Sequence, residues 1–159
     1  MMSQHRNHGF SLIELLIVVA IILIIAAIAI PSLIHSKMSA NEASAVGSLH
    51  SINTAIVNYV GEYGIGYPAA LTNLGPSASP SSAAADLIDN VLVTGIKSGY
   101  NFSYVAGAPG SDGAIYTYTI TATPITPNVT GTRGFYTDQS SVIRSDPTGN
   151  ATSSSTPIS

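Results

Sequence analysis

Between Phe10 and Ile30 runs a 21-residue stretch whose only charged side chain is Glu14, and its last sixteen residues, Leu15 to Ile30, are all apolar. At about 1.5 Å of rise per residue, a helix of that length spans roughly 31 Å, enough to cross the hydrocarbon core of a bilayer. No water-soluble packing absorbs such a segment without a large apolar partner on every side. The 129 residues that follow Ile30 then have to supply whatever folds in water, which leaves room for one modest domain and not two.

Arg6, flanked by His5 and His8, precedes the stretch, and no acid offsets it there, so the positive-inside rule puts the N-terminus in the cytoplasm and everything after Pro31 outside. Three readings fit a basic start and an apolar run. One is a plain single-span anchor. Another is a secretory signal peptide, with Ala27-Ile28-Ala29 as a small-residue cleavage site. The third has to explain Glu14. A carboxylate in an apolar helix costs on the order of 2.5–3.5 kcal/mol at the bilayer centre and somewhat less near its edge, so it requires a partner. A simpler account is that an acid in the first turns of a helix is favoured by the macrodipole.

The run is introduced by Gly9-Phe10-Ser11-Leu12-Ile13-Glu14. That string, leading directly into the aliphatic residues, resembles the processing motif of type IV prepilins and of the related type II secretion pseudopilins. The resemblance implies cleavage between Gly9 and Phe10 by a prepilin peptidase on the cytoplasmic side, followed by N-methylation of Phe10. Glycine at the scissile position lets the protease approach an extended backbone closely. Glu14 becomes the fifth residue of the processed chain, where the family carries a glutamate that meets the N-terminal amine of a neighbouring subunit. A buried carboxylate is tolerable when paired in this way, and the pairing rewards one axial stagger between copies. Pro31 stands where the family has a proline. It removes one helical hydrogen bond and presses on the carbonyl of Ala27, so a kink or local melting is expected there, or simply the end of the membrane helix.

Beyond Pro31, Met38, Ala45, Val46, Leu49, Ile52, Ile56, Tyr59 and Val60 recur every three or four residues, with polar residues such as Asn41, Glu42, Ser44 and Ser48 between them. This predicts an amphipathic helix that ends near Gly61 to Gly66. Tyr67 to Ser82 reads as a loop, and a short helix is expected from a Ser81 or Ser82 cap to about Thr94, closed by Gly95. Alternation in Tyr100-Phe102-Tyr104 and in Tyr116-Tyr118-Ile120 predicts two strands joined by a glycine-rich turn, with the tyrosine hydroxyls at the rim. A shorter hairpin of Phe135–Thr137 and Ser141–Arg144 turns at Asp138-Gln139-Ser140. The expected fold class is α+β: a long N-terminal helix packed on an antiparallel sheet of three to four strands, the ladle shape of pilins. The predicted organisation is a leader at 1–9, a helix at 10–62 with 10–30 spanning the membrane, a head at 63–144 and a Ser/Thr-rich tail at 145–159. The tail has little to bury and is expected to be disordered or loosely laid on the surface.

Few chemistries remain open to the head. There is no cysteine, which excludes disulfides, thiolate metal sites and thiol nucleophiles. Five Lys+Arg against eight Asp+Glu give a net charge of −3, and loss of the leader with Arg6 lowers it further, so nucleic acid is not an expected partner. His35 and His50 are fifteen residues apart, about 22 Å along a helix, and cannot share a metal. Asp86 and Asp89, with Asp112 or Asp138, are candidates for a calcium site, against the default that each serves a cap or a turn. No cofactor and no enzymatic activity is expected. The resemblance implies a structural subunit of a type IV pilus-like filament, with copies of itself, the prepilin peptidase, the assembly machinery and the inner membrane as partners. It would be an inner-membrane precursor, later part of a surface pilus or a periplasmic pseudopilus. A type II secretion pseudopilin is the first alternative, and an exported or singly anchored binding protein the second. Many pilins close a C-terminal disulfide loop, impossible here, while major pseudopilins usually carry a tryptophan motif that is also lacking.

Overall fold

The computed structural model describes residues 10–158, and the expected leader, with Gly9, lies outside them. Two compact units divide between Ser36 and Lys37. The helix α1, Leu12–Tyr63, is continuous through that boundary and contains Pro31. Helical structure neither melts nor ends at the proline. Its ring fixes φ near the helical value, and only one helical hydrogen bond is lost.

In the first unit, the large apolar side chains from Phe10 to Ile34 are all exposed. Among the described residues, α1 is the one helix long and apolar enough to cross a membrane.

In the second unit, α1 buries one stripe: Met38, Glu42, Ala45, Leu49, Ile52, Ile56 and Tyr59. The spacing is that of the predicted amphipathic helix, and the helix ends at Tyr63, with Gly64 at φ 63 starting the reversal. The stripe rests on an antiparallel sheet whose six strands are joined in sequence order. These are β1 (Ile96–Lys97), β2 (Tyr100–Ala106), β3 (Tyr118–Pro124), β4 (Gly134–Asp138), β5 (Arg144–Asp146) and β6 (Thr156–Pro157). β2 and β3 pair over seven positions, Tyr100 opposite Pro124 through Ala106 opposite Tyr118. Their inward residues Tyr100, Phe102, Tyr118, Ile120 and Ala122 meet Leu49, Ile52, Ile56 and Tyr59 of α1 in one core, joined by Phe135 of β4. The α+β class and the helix-on-sheet arrangement are therefore those expected.

Several details differ from expectation. The sheet has six strands rather than three or four, because β1 and β6 are only two residues long and carry no alternation to detect. The predicted helix from Ser81 or Ser82 to Thr94 shrinks to α2, Asn90–Val93, capped by Asp89, whose Oδ1 accepts from Leu92 N at 2.7 Å. The residues before it give their N–H groups elsewhere: Ala85 donates to Asn73 O at 2.9 Å, Asp86 to Gly75 O at 2.8 Å, and Leu87 and Ile88 to Leu74 O. They dock on a 3-10 turn, Leu71–Leu74, inside the supposed loop, and bury Ala85 and Ile88. Gly95 does close α2, at φ 74.

The second hairpin starts its return strand at Arg144 instead of Ser141. Asp138 Oδ1 accepts from Ser140 N and Oγ, Ser141 turns left-handed at φ 59, and Ile143 drops into the core before β5 begins. The tail, expected to be disordered or loosely laid on the surface, is joined to the sheet. β6 adds to β5, Ile158 N donates to Ile143 O at 2.9 Å, Arg144 Nη1 donates to Ser155 O at 3.1 Å, and Ala151 is buried. A segment poor in apolar residues orders here because its backbone is consumed by an existing sheet edge rather than by a core of its own.

Candidate assembly site

At the start of α1, Ser11 precedes Leu12 and Glu14 follows in the first turn. Ser11 N donates to Glu14 Oε2 at 2.9 Å. This is the backward half of a capping box, in which an acid at the third helical position satisfies the N–H of the cap residue. The Ser-x-x-Glu spacing that announces it was visible in Ser11 and Glu14. The carboxylate thus finds one donor among the described residues, on an exposed first turn beside Phe10, which is 83% exposed. Around it Leu12, Ile13, Leu15 and Leu16 are also exposed. The arrangement offers one carboxylate on an otherwise apolar surface. In oil the carboxylate calls for a cation, and in water the apolar surface around it would be an aggregation hazard.

In the head a second acid is handled differently. Glu42, read as a gap-filling polar residue, lies buried on the core side of α1. Its Oε1 accepts from Thr132 N at 2.9 Å, Thr132 Oγ1 at 3.0 Å and Arg133 N at 3.1 Å, and its Oε2 from Arg133 Nε at 2.7 Å. Burial alone would raise its pKa, but these donors together outweigh it and hold the carboxyl down at about 2. Next to it Asn41 Nδ2 donates to Thr130 O at 2.8 Å. Two consecutive residues of α1 therefore pin the β3–β4 connection. Partners 90 residues away leave no signal in a single sequence.

The remaining candidates are scattered. His35 and His50 are both exposed on α1. Asp89 caps α2 and pairs with Lys97 Nζ at 3.4 Å, Asp112 accepts from Tyr116 Oη and Ala114 N, and Asp138 builds its own turn. Among the described residues no three His, Asp or Glu side chains are grouped to hold a metal. The tyrosines also split. Tyr100 and Tyr118 are fully enclosed, and their hydroxyls bond inside the fold rather than at the rim, Tyr100 Oη to Arg133 O at 2.8 Å and Tyr118 Oη to Asn53 Oδ1 at 3.4 Å. Tyr104 Oη donates to Pro68 O at 2.6 Å. Burial pushes the Tyr100 phenol up to about 12 and that of Tyr104 further still. Tyr116, expected in the sheet, precedes β3 and is 60% exposed.

An exposed apolar helix thus opens on a capped glutamate, ahead of an α+β head. Residues 4–30 match the family described as the prokaryotic N-terminal methylation motif. The type IV major pilin protein PilA of Myxococcus xanthus (strain DK1622) is 47% identical over 57 residues, a match that covers 36% of this chain and 26% of the relative. No solved structure matches the chain. Residues 4–30 are thus similar to that family, and the chain spans about a quarter of the length of the pilin it matches.

Proposed function

We propose that the chain is a structural subunit of a type IV pilus-like filament, cut after Gly9 by a prepilin peptidase and assembled through the first half of α1. Before assembly that half lies in the inner membrane, with the N-terminus cytoplasmic and the head outside. Cleavage exposes the amine of Phe10, the site of methylation. In a bundle of apolar helices Glu14 then exchanges its weak intrachain N–H for the ammonium of a neighbouring copy. An ammonium brings a full opposite charge that the backbone N–H lacks, and in a dry surrounding that attraction is the stronger one. Pro31, which leaves the carbonyl of Ala27 without its helical donor, is the point where α1 yields as the subunit is drawn out of the bilayer. The observation that carries this reading is Glu14, the one carboxylate of α1 between Leu12 and Ile34, where the large apolar side chains are all exposed and the leading residues match the methylation motif.

N-terminal sequencing and intact-mass measurement of the chain from cells are expected to find Phe10 first, 14 Da heavy from one methyl group, by ordinary covalent arithmetic about one CH2. Glu14→Ala is expected to stay in the membrane fraction and to abolish filaments seen by electron microscopy. A mature chain beginning at Met1 or at Ile30, or undiminished filaments from Glu14→Ala, would refute the assignment.

A further inference from the structure

The connection between β3 and β4 presents two aliphatic side chains to water, Ile125 at 52% and Val129 at 56% exposure. It is built to keep them there. Val129 N and Thr130 N both donate to Thr126 O, Asn128 N donates to Gly131 O, and Thr126 N donates to Thr130 Oγ1 at 3.1 Å. Asn41 and Glu42 of α1 fasten the far side of the loop at Thr130, Thr132 and Arg133. A loop that is merely a connection has no need of so many bonds, since flexible tips are thermodynamically cheap. Rigid display of apolar groups is what a binding knob requires, because the ordering entropy is already spent.

The same head carries a groove that would take such a knob. It encloses about 610 Å³ between the end of α1 and the turn before β3, and its apolar lining includes Val60, Ile65, Ile115 and the ring of Tyr116. Its one charge, Asp112, is already engaged by Tyr116 Oη and Ala114 N. The knob, too, is uncharged from Gly113 to Thr132, so two like-charged copies meet here without placing charge against charge. Glu42 and Val60, which mark the anchor of the knob and the wall of the groove, are eighteen residues apart on α1, about 27 Å along its axis. The two surfaces therefore occupy opposite ends of the head's portion of α1.

We propose that the Ile125/Val129 knob of one copy seats in the Val60/Ile65/Ile115/Tyr116 groove of the next. A contact between two different patches is heterologous: it does not close on itself as a twofold dimer does, and it extends into an open array. The proposal rests on the filament reading and adds to it a head-to-head-end contact that is independent of the apolar helices.

The cysteine-free chain makes the test direct. Filaments of Ile65→Cys/Val129→Cys are oxidised, sheared from cells and run on denaturing gels, beside each single variant and the unaltered chain checked by electron microscopy. A ladder of dimers, trimers and larger species from the double variant, with monomers from each single variant, is the expected result. Intact filaments with no ladder overturn the contact and leave the filament reading standing. Dimers from Val129→Cys alone mean a twofold contact and also overturn it. Absence of filaments from the unaltered chain defeats both. As a second arm, Val129→Asp, which buries an unpaired charge in the contact, is expected to lower filament yield about tenfold with an unchanged melting temperature of the unassembled chain. Filaments at full yield from that variant would overturn the inference.

Discussion

Glutamine in place of Glu42 keeps the shape of the side chain and an oxygen for Thr132 N, Thr132 Oγ1 and Arg133 N, but it turns an NH2 toward Arg133 Nε, so an attraction at 2.7 Å becomes donor against donor. Lowering the carboxyl from its ordinary 4.5 to about 2 is worth at most about 3.4 kcal/mol, at about 1.36 kcal/mol per pH unit. The side chain of Arg133 is 46% exposed, and solvent screening of that partner reduces the expected loss to about 2 kcal/mol. For a head of this size that is a fall of roughly 6–10 °C in melting temperature. The assay is thermal unfolding of the full chain in detergent micelles, followed by near-ultraviolet circular dichroism of the tyrosines, all eight of which lie at or beyond Tyr59. Because the folded pKa lies below the unfolded one, the contribution is fully present above about pH 4.5 and disappears as the pH falls toward about 2. The gap between wild type and Glu42→Gln should therefore be constant at neutral pH and close over that interval. Equal melting temperatures at pH 7, or a gap that persists unchanged down to pH 2.5, would refute the reasoning.

Gly134→Ala places a methyl group on the backbone of Gly149, which lies directly over it, and is expected to cost about 2 kcal/mol or more and to expose 147–155 to limited proteolysis. Asp89→Ala removes the cap of α2 and should lower stability by about 1 kcal/mol in the same unfolding assay, nearly all of it from Leu92 N because the Lys97 pair is exposed. Spectrophotometric titration should show Tyr100 ionising only near pH 12, and Tyr100→Phe should delete amplitude from that late phase and leave the earlier part of the titration unchanged. The same variant leaves the carbonyl of Arg133 without its donor and should destabilise the fold by about 1 kcal/mol, whereas Tyr116→Phe, at an exposed position, should change stability by less than about 0.5 kcal/mol.

The sequence by itself determined those features whose cause is local. An unbroken aliphatic run admits one solvent, the three-to-four spacing from Met38 to Tyr59 admits one helix face, and the alternation through Tyr100-Phe102 and Tyr118-Ile120 admits one sheet face. Glu14 was conspicuous because its neighbours within a helical turn are all apolar or small, and a misfit is legible when its surroundings are contiguous. Tertiary structure alone decided the features whose partner is distant. Glu42 looks like any surface glutamate until the chain brings Thr132 and Arg133 back to it, and the Ser/Thr-rich tail looks unstructured until β5 offers an edge. Residues 85–88 show the same competition in miniature, since their apolar spacing suits a helix, yet the carbonyls of Asn73, Leu74 and Gly75 take their N–H groups first. Periodicity reports which side of an element is apolar. Which donor meets which acceptor depends on a closure across tens of residues, and that is settled only when the whole head packs.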